Sequence, residues 1–179
     1  FNETHPYRSK KGEKMNTNRK IAIIVGVLFI IGTVAGILSV VFSTPILGDP
    51  DYLIKVSANE NQIVIAALFV LTMGFALAMV PVVIFPILKK HNEAMALGYL
   101  VFRGALETVI YIAMAVNWLL LIIVSQEYAK AGAPLASSFQ AMGALSQKAG
   151  DSFSTILIIV FGLGALMLYY VFYRSKLIP

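Results

Sequence analysis

Arg103 and Glu107 are the residues of this chain whose types and spacing suggest chemistry. They stand four apart, so on a helix they share a face and their side chains meet. Around them, Ala94 to Val124 is thirty-one residues of otherwise almost unbroken apolar sequence. About 20 apolar residues span the hydrocarbon of a bilayer. Ionisable groups inside such a span are costly, and they mark a functional site with a partner to be named. Two roles suit this pair: an ion pair that locks helices together, or a carboxyl that titrates along a proton or solute pathway.

The neighbours of the pair follow from helical spacing. Ala96, Tyr99, Arg103, Glu107, Ile110, Met114, Asn117 and Leu121 fall within about 40° of one line on an α-helix. Tyr99, Arg103, Glu107 and Asn117 therefore form a polar stripe, which should face protein or water and not lipid. A rise of 1.5 Å per residue puts Arg103 about 13 Å from Ala94, nearly mid-membrane if the span starts there. The whole segment would make about 46 Å of helix against roughly 30 Å of hydrocarbon. A span of Gly104–Val124, with Arg103 snorkelling to the headgroups, is therefore equally open. Glu107 lies a turn deeper and reaches less far.

The rest of the chain supplies the elements that must position this stripe. Of its 179 residues 59% are hydrophobic and 13% charged, whereas soluble domains average roughly 45–50% and 25%. Both departures point to an all-α, polytopic transmembrane helical bundle. Residues 1–14 are polar and aperiodic, and Met15 reads like a natural start, so 1–14 is set apart as an upstream or flexible segment. Residues 15–179 form a single membrane domain with spans expected near 21–42, 63–88, 97–124 and 153–173. Ile21 to Phe42 is longer than the apolar core of a secretory signal, and no small-residue cleavage site follows, so it is read as a retained helix. Within it Gly32 and Gly36 have the spacing that lets helix backbones approach.

Pro45, Gly48 and Asp49-Pro50-Asp51 should end the first span, with polar sequence running to Gln62. The two aspartates read as a solvated turn. Pro81 and Pro86 should kink the second span or mark its end. Lys89-Lys90-His91-Asn92-Glu93 is a tight polar turn. From Ser125 to Ser152 the expectation is an extramembrane loop holding a short amphipathic helix, with Phe139, Met142 and Leu145 on its apolar face. Tyr169, Tyr170 and Tyr173 suit an interfacial aromatic belt.

Catalytic motifs are missing. The sequence has no phosphate loop, nucleotide-binding glycine fingerprint, Gly-x-Ser-x-Gly elbow or His-Glu-x-x-His motif. His5 and His91 sit in polar segments, and cysteine is absent, so no catalytic, cofactor-binding or metal residue is assigned and no cofactor is expected. The protein is therefore read as not an enzyme. The net charge of +5 comes largely from Arg8, Lys10, Lys11, Lys14, Arg19 and Lys20. A basic cluster of this kind could suggest nucleic acid, but here an apolar span follows at once, which makes it a topology signal. The partners expected are the lipid bilayer and a homo-oligomer or other membrane partner, with no nucleic acid.

With these stretches in view, the chain from Met15 onward resembles the bacterial membrane family catalogued as domain of unknown function 4386. The resemblance is carried by Asn18-Arg19-Lys20-Ile21-Ala22-Ile23-Ile24-Val25-Gly26, Lys89-Lys90-His91-Asn92-Glu93 and Ala96-Leu97-Gly98-Tyr99. Ser125-Gln126-Glu127-Tyr128, Phe161-Gly162-Leu163-Gly164-Ala165-Leu166-Met167 and Ser175-Lys176-Leu177-Ile178-Pro179 add to it in order. It implies a multi-pass protein of the bacterial cell (inner) membrane and brings no activity, substrate or catalytic residue. Similar proteins continue past Ser-Lys-Leu-Ile-Pro into further hydrophobic helices, so the resemblance implies a chain truncated before them. The reading that results is a non-catalytic membrane protein, with a small-solute or proton transporter using Arg103 and Glu107 as the alternative.

Basic residues alternate between the connections: ten flank the spans on one side, against Lys55, Lys130 and Lys148 on the other. Positive-inside then places both termini in the cytoplasm. Because the chain lacks cysteine, single cysteines are clean probes. Replacements at Lys55 and Lys130 should react with an impermeant thiol reagent applied outside the cell, and one at Lys90 should not. The opposite labelling pattern would invert the topology.

Overall fold

The computed structural model describes residues 17–131 and 133–176; the segment 1–14 set apart above lies outside the described residues. The helices are α1 (Thr17–Leu47), α2 (Tyr52–Ala58), α3 (Glu60–Leu88), α4 (Glu93–Tyr99), α5 (Glu107–Lys130) and α6 (Ala133–Ser175). A π-helical segment, Leu100–Leu106, joins α4 to α5 without a break. The fold is all-helical, with no strand among the described residues. Among the described residues, four rods are long and apolar enough to cross a membrane: α1, α3, the continuous α4–π–α5 unit, and α6.

Successive rods run antiparallel, as their short connections require. Ser39 of α1 donates its hydroxyl to the Ala66 carbonyl of α3 at 2.9 Å. Gln126 of α5 donates to Glu60 of α3 at 2.7 Å. The contacts form a row, α1 on α3, α3 on α5, and α5 on α6. The apolar windows of α3 and α5 are 44% and 33% buried, against 11% for α1 and α6, so the first pair is the centre and the second the flanks.

Three apolar clusters hold the row. Ile46, Leu53, Val56, Ile63, Leu121 and Ile122 close one end around α2. Ala67, Val70, Tyr111 and Ala115 join α3 to α5 in the middle. Leu88, Ala96, Tyr99 and Val171 close the other end.

Several sequence expectations need correction. The segment expected as a loop, Ser125 to Ser152, is largely helical: α5 continues to Lys130 and α6 begins at Ala133. Pro134 sits in the first turn of α6, where a missing N–H costs nothing. Gly143 is tolerated because α2 packs there; a Cβ would stand 2.7 Å from the Tyr52 hydroxyl and 2.9 Å from Leu53. Met142 and Leu145 are exposed. The side of α6 that touches the bundle instead carries Gln140, Ser146 and Gln147, which bond to Tyr128, Asn117 and the Leu47 carbonyl.

The polar run before Gln62 is also helical, because Leu53 and Val56 give it an apolar side to bury. Pro45 lies inside the end of α1, and Pro86 lies two residues before α3 ends, so neither stops its helix. All four rods extend past the expected spans, since a helix does not end where the hydrocarbon does.

The two glycines of α1 meet α3 differently. A Cβ on Gly32 would lie 2.8 Å from Leu77 Cγ, and one on Gly36 would lie 2.6 Å from the Met73 sulfur. Leu77 is branched close to its backbone, whereas the Met73 thioether swings aside easily. Gly32→Ala should therefore destabilise by about 1–3 kcal/mol, and Gly36→Ala by clearly less. Thermal unfolding in detergent checks the order, and equal losses would show that side-chain give does not decide it.

Candidate functional site

Asn92 caps α4, accepting a hydrogen bond from the Met95 N–H at 3.0 Å. The helix then runs inward and widens. The Glu107 N–H donates to the Phe102 carbonyl five residues back, which is π-helical bonding. Gly104 makes room for this turn beside α3; a Cβ there would stand 3.3 Å from Pro81 Cγ. Residues four apart are about 40° out of line in an α-helix, and a wider turn brings them closer to eclipsed. Arg103 lies in the π-helical segment and Glu107 opens α5.

The guanidinium of Arg103 sits astride the carboxylate. Its Nη1 donates to Oε1 and to Oε2 of Glu107, each at 2.6 Å. Glu107 is 1% exposed and Arg103 8%, so Arg103 does not snorkel away from its partner. Tyr111, one turn further on, donates its hydroxyl to Glu107 Oε1 at 2.9 Å. From α6, the ring of Phe161 lies 4.6 Å from Arg103 Cζ, in cation–π range. Arginine, glutamate and tyrosine thus form a ladder up one face of the third rod. Gly74 of α3 fits against the last rung, where a Cβ would stand 3.0 Å from the Tyr111 ring.

Three of the four residues of the expected stripe come together. Arg103 and Glu107 pair, and the Tyr99 hydroxyl lies against Arg103 one turn back. Tyr99 is 2% exposed, and its ring packs in the apolar cluster with Leu88, Ala96 and Val171. Asn117 is half-buried and belongs to another contact, donating to the Ser146 carbonyl and accepting from the Ser146 hydroxyl, both at 3.0 Å. Tyr111 and Phe161 are the site residues that sequence reasoning missed. Tyr111 carries a signal, since it continues the four-residue spacing of Tyr99, Arg103 and Glu107. Phe161 carries none, because only the packing of α6 on α5 brings it there.

The aspartate pair is a turn closed by its own loop. Asp49 accepts from the Asp51 N–H at 2.9 Å and pairs with Lys55. The Lys55 hydrogen bond and that N–H hold the Asp49 carboxyl below the usual carboxylate range.

Four apolar rods, with a charged ladder turned away from their lipid-facing surfaces, make this a multi-pass α-helical membrane protein. Its sequence matches the family described as Domain of unknown function (DUF4386) over residues 24–179, and the chain belongs to that family. No curated protein and no solved structure matches it.

The ladder has a testable energetic signature. Its order does not favour the isolated helix, where glutamate before the base is better, so neutralisation in a low dielectric is what the pair achieves. Breaking a buried pair costs about 3–5 kcal/mol in soluble cores. A carboxyl left alone can take up a proton, whereas a guanidinium cannot lose one. Glu107→Gln should therefore destabilise more than Arg103→Leu, and the double replacement should cost less than the sum. Tyr111→Phe should cost about 1.5–3 kcal/mol, as for a hydrogen bond to a charged group. Thermal or denaturant unfolding of the set decides; additive losses would mean that Arg103 and Glu107 do not interact.

Proposed function

We propose that this is a non-catalytic multi-pass protein of the bacterial cell membrane, with both termini cytoplasmic, whose ladder locks the third rod to its neighbours. Its work is then done through lipid or a protein partner. The observation that supports this reading is the engagement of Glu107 within its own rod. Both carboxylate oxygens are taken by Arg103, and Oε1 also by Tyr111. A transport carboxyl needs an open position for its cargo. This one is enclosed by its own helix and by Phe161.

A small-solute or proton transporter is the second reading, and one observation favours it. A cavity of about 160 Å³ lies where α1, α5 and α6 meet, with Asn117, Ser146, Gln147, Asp151 and Ser154 in its wall beside the apolar Leu47, Trp118 and Leu121. Its wall includes Met114, three residues from Tyr111, so it approaches the ladder from one end. Purified protein reconstituted into vesicles separates the two readings. Proton flux under an imposed gradient, and uptake of a panel of small solutes, should equal those of empty vesicles, and Glu107→Gln should change nothing. Flux that Glu107→Gln abolishes would replace the locking role with transport.

A further inference from the structure

At the end of the bundle where α3 turns into α4 and α6 finishes, a cavity of about 240 Å³ is lined by His91, Asn92, Tyr170, Val171, Arg174 and Ser175. Tyr170 also lines an apolar groove of about 560 Å³ that follows α6 past Met95, Leu163, Leu166 and Met167. One ring thus stands between a polar compartment and an apolar one. Leu163 and Arg174 are eleven residues apart, about 16 Å of helix. That is close to the hydrocarbon depth of one leaflet, half of roughly 30 Å. Polar at the membrane edge and apolar over a leaflet's depth is the outline of a single amphiphile.

Charge selects among amphiphiles. Arg19, Lys20, Lys89, Lys90, Arg174 and Lys176 lie at this end, and Glu93 is the sole carboxylate there among the described residues. None of the ion pairs among the described residues involves Arg174. Lys89 lies over the Phe85 ring, 5.7 Å from its centroid. A guanidinium offers a fork of N–H donors that matches phosphate oxygens. We propose that this site holds one anionic phospholipid, with its phosphate against Arg174 beside His91 and its chains in the groove under Tyr170.

Native mass spectrometry of the full chain in mild detergent tests this, after incubation with equal amounts of phosphatidylglycerol and phosphatidylcholine. One phosphatidylglycerol should be retained in preference. A basic residue near an anionic surface contributes about fivefold in affinity, so Arg174→Gln should lower retention by about that factor and Arg174→Lys should lose much less. Leu166→Trp, which crowds the groove, should lower retention of the lipid by a similar factor. Lys130→Gln, at the opposite end, should leave retention unchanged. Equal retention of the two lipids, or equal losses for Arg174→Lys and Arg174→Gln, would overturn the proposal. Displacement of phosphatidylglycerol by excess inorganic phosphate would also overturn it, by assigning the polar cavity to a free anion.

Discussion

A carboxylate at the depth of Glu107 cannot be left to the bilayer. An unpaired ion in a low-dielectric interior carries a penalty of several kcal/mol even after relaxation, comparable with the whole stability of many domains. The surroundings of Glu107 meet this demand with local resources. The countercharge comes from its own helix one turn back, the second donor from one turn forward, and the aromatic cover from α6. Because Arg103 and Tyr111 flank Glu107 along one rod, the three move as a unit. The neighbouring helices do not supply the neutralising charge. They supply the enclosure.

That division of labour accounts for where the small residues fall. Gly74 of α3 faces Tyr111, Gly104 faces Pro81, and Gly164 of α6 faces Phe102 and Arg103, where a Cβ would meet atoms 3.4–3.6 Å away. Each removes a side chain at a place where another helix has to come close to the ladder. Lipid tails are as apolar as leucine, so packing and hydrogen bonding, more than hydrophobicity, decide which helices associate in a membrane. The third rod, with its ladder and its close-fitting neighbours, is therefore the element to which α3 and α6 are fitted.

Much of this was legible in the sequence. Apolar runs of spanning length located all four rods, and the spacing of Arg103 and Glu107 placed the pair on one face. The aspartate turn also followed from residue type. What stayed hidden has physical causes. The π-helical segment is a matter of one extra residue per turn, which no composition or period announces, and it moves side chains off the line drawn for a regular helix. Asn117 shares the side of the helix but stands ten residues past Glu107, about 15 Å along the axis, so it meets α6 at another level. The long α6 was hidden because membrane scales mark Gln140, Ser146, Gln147 and Lys148 as outside the lipid. They cannot say that the backbone goes on turning there, with three of these residues bonded to neighbouring helices.

The hydrogen bond from Gln147 to the Leu47 carbonyl, 3.0 Å long, links the last rod to the end of the first. Elsewhere the two do not meet substantially, so the four rods stay an open row. In water such a row would be a liability, like an unpaired sheet edge, because each outer helix presents a long apolar flank. In hydrocarbon that flank has no solvent to escape from. The arrangement is thus modular: the outer faces of α1 and α6 can be recontoured, or covered by another helix, without repacking the contacts around Glu107. Tolerance to change should accordingly rise from the middle of the row to its margins, following distance from a single carboxylate.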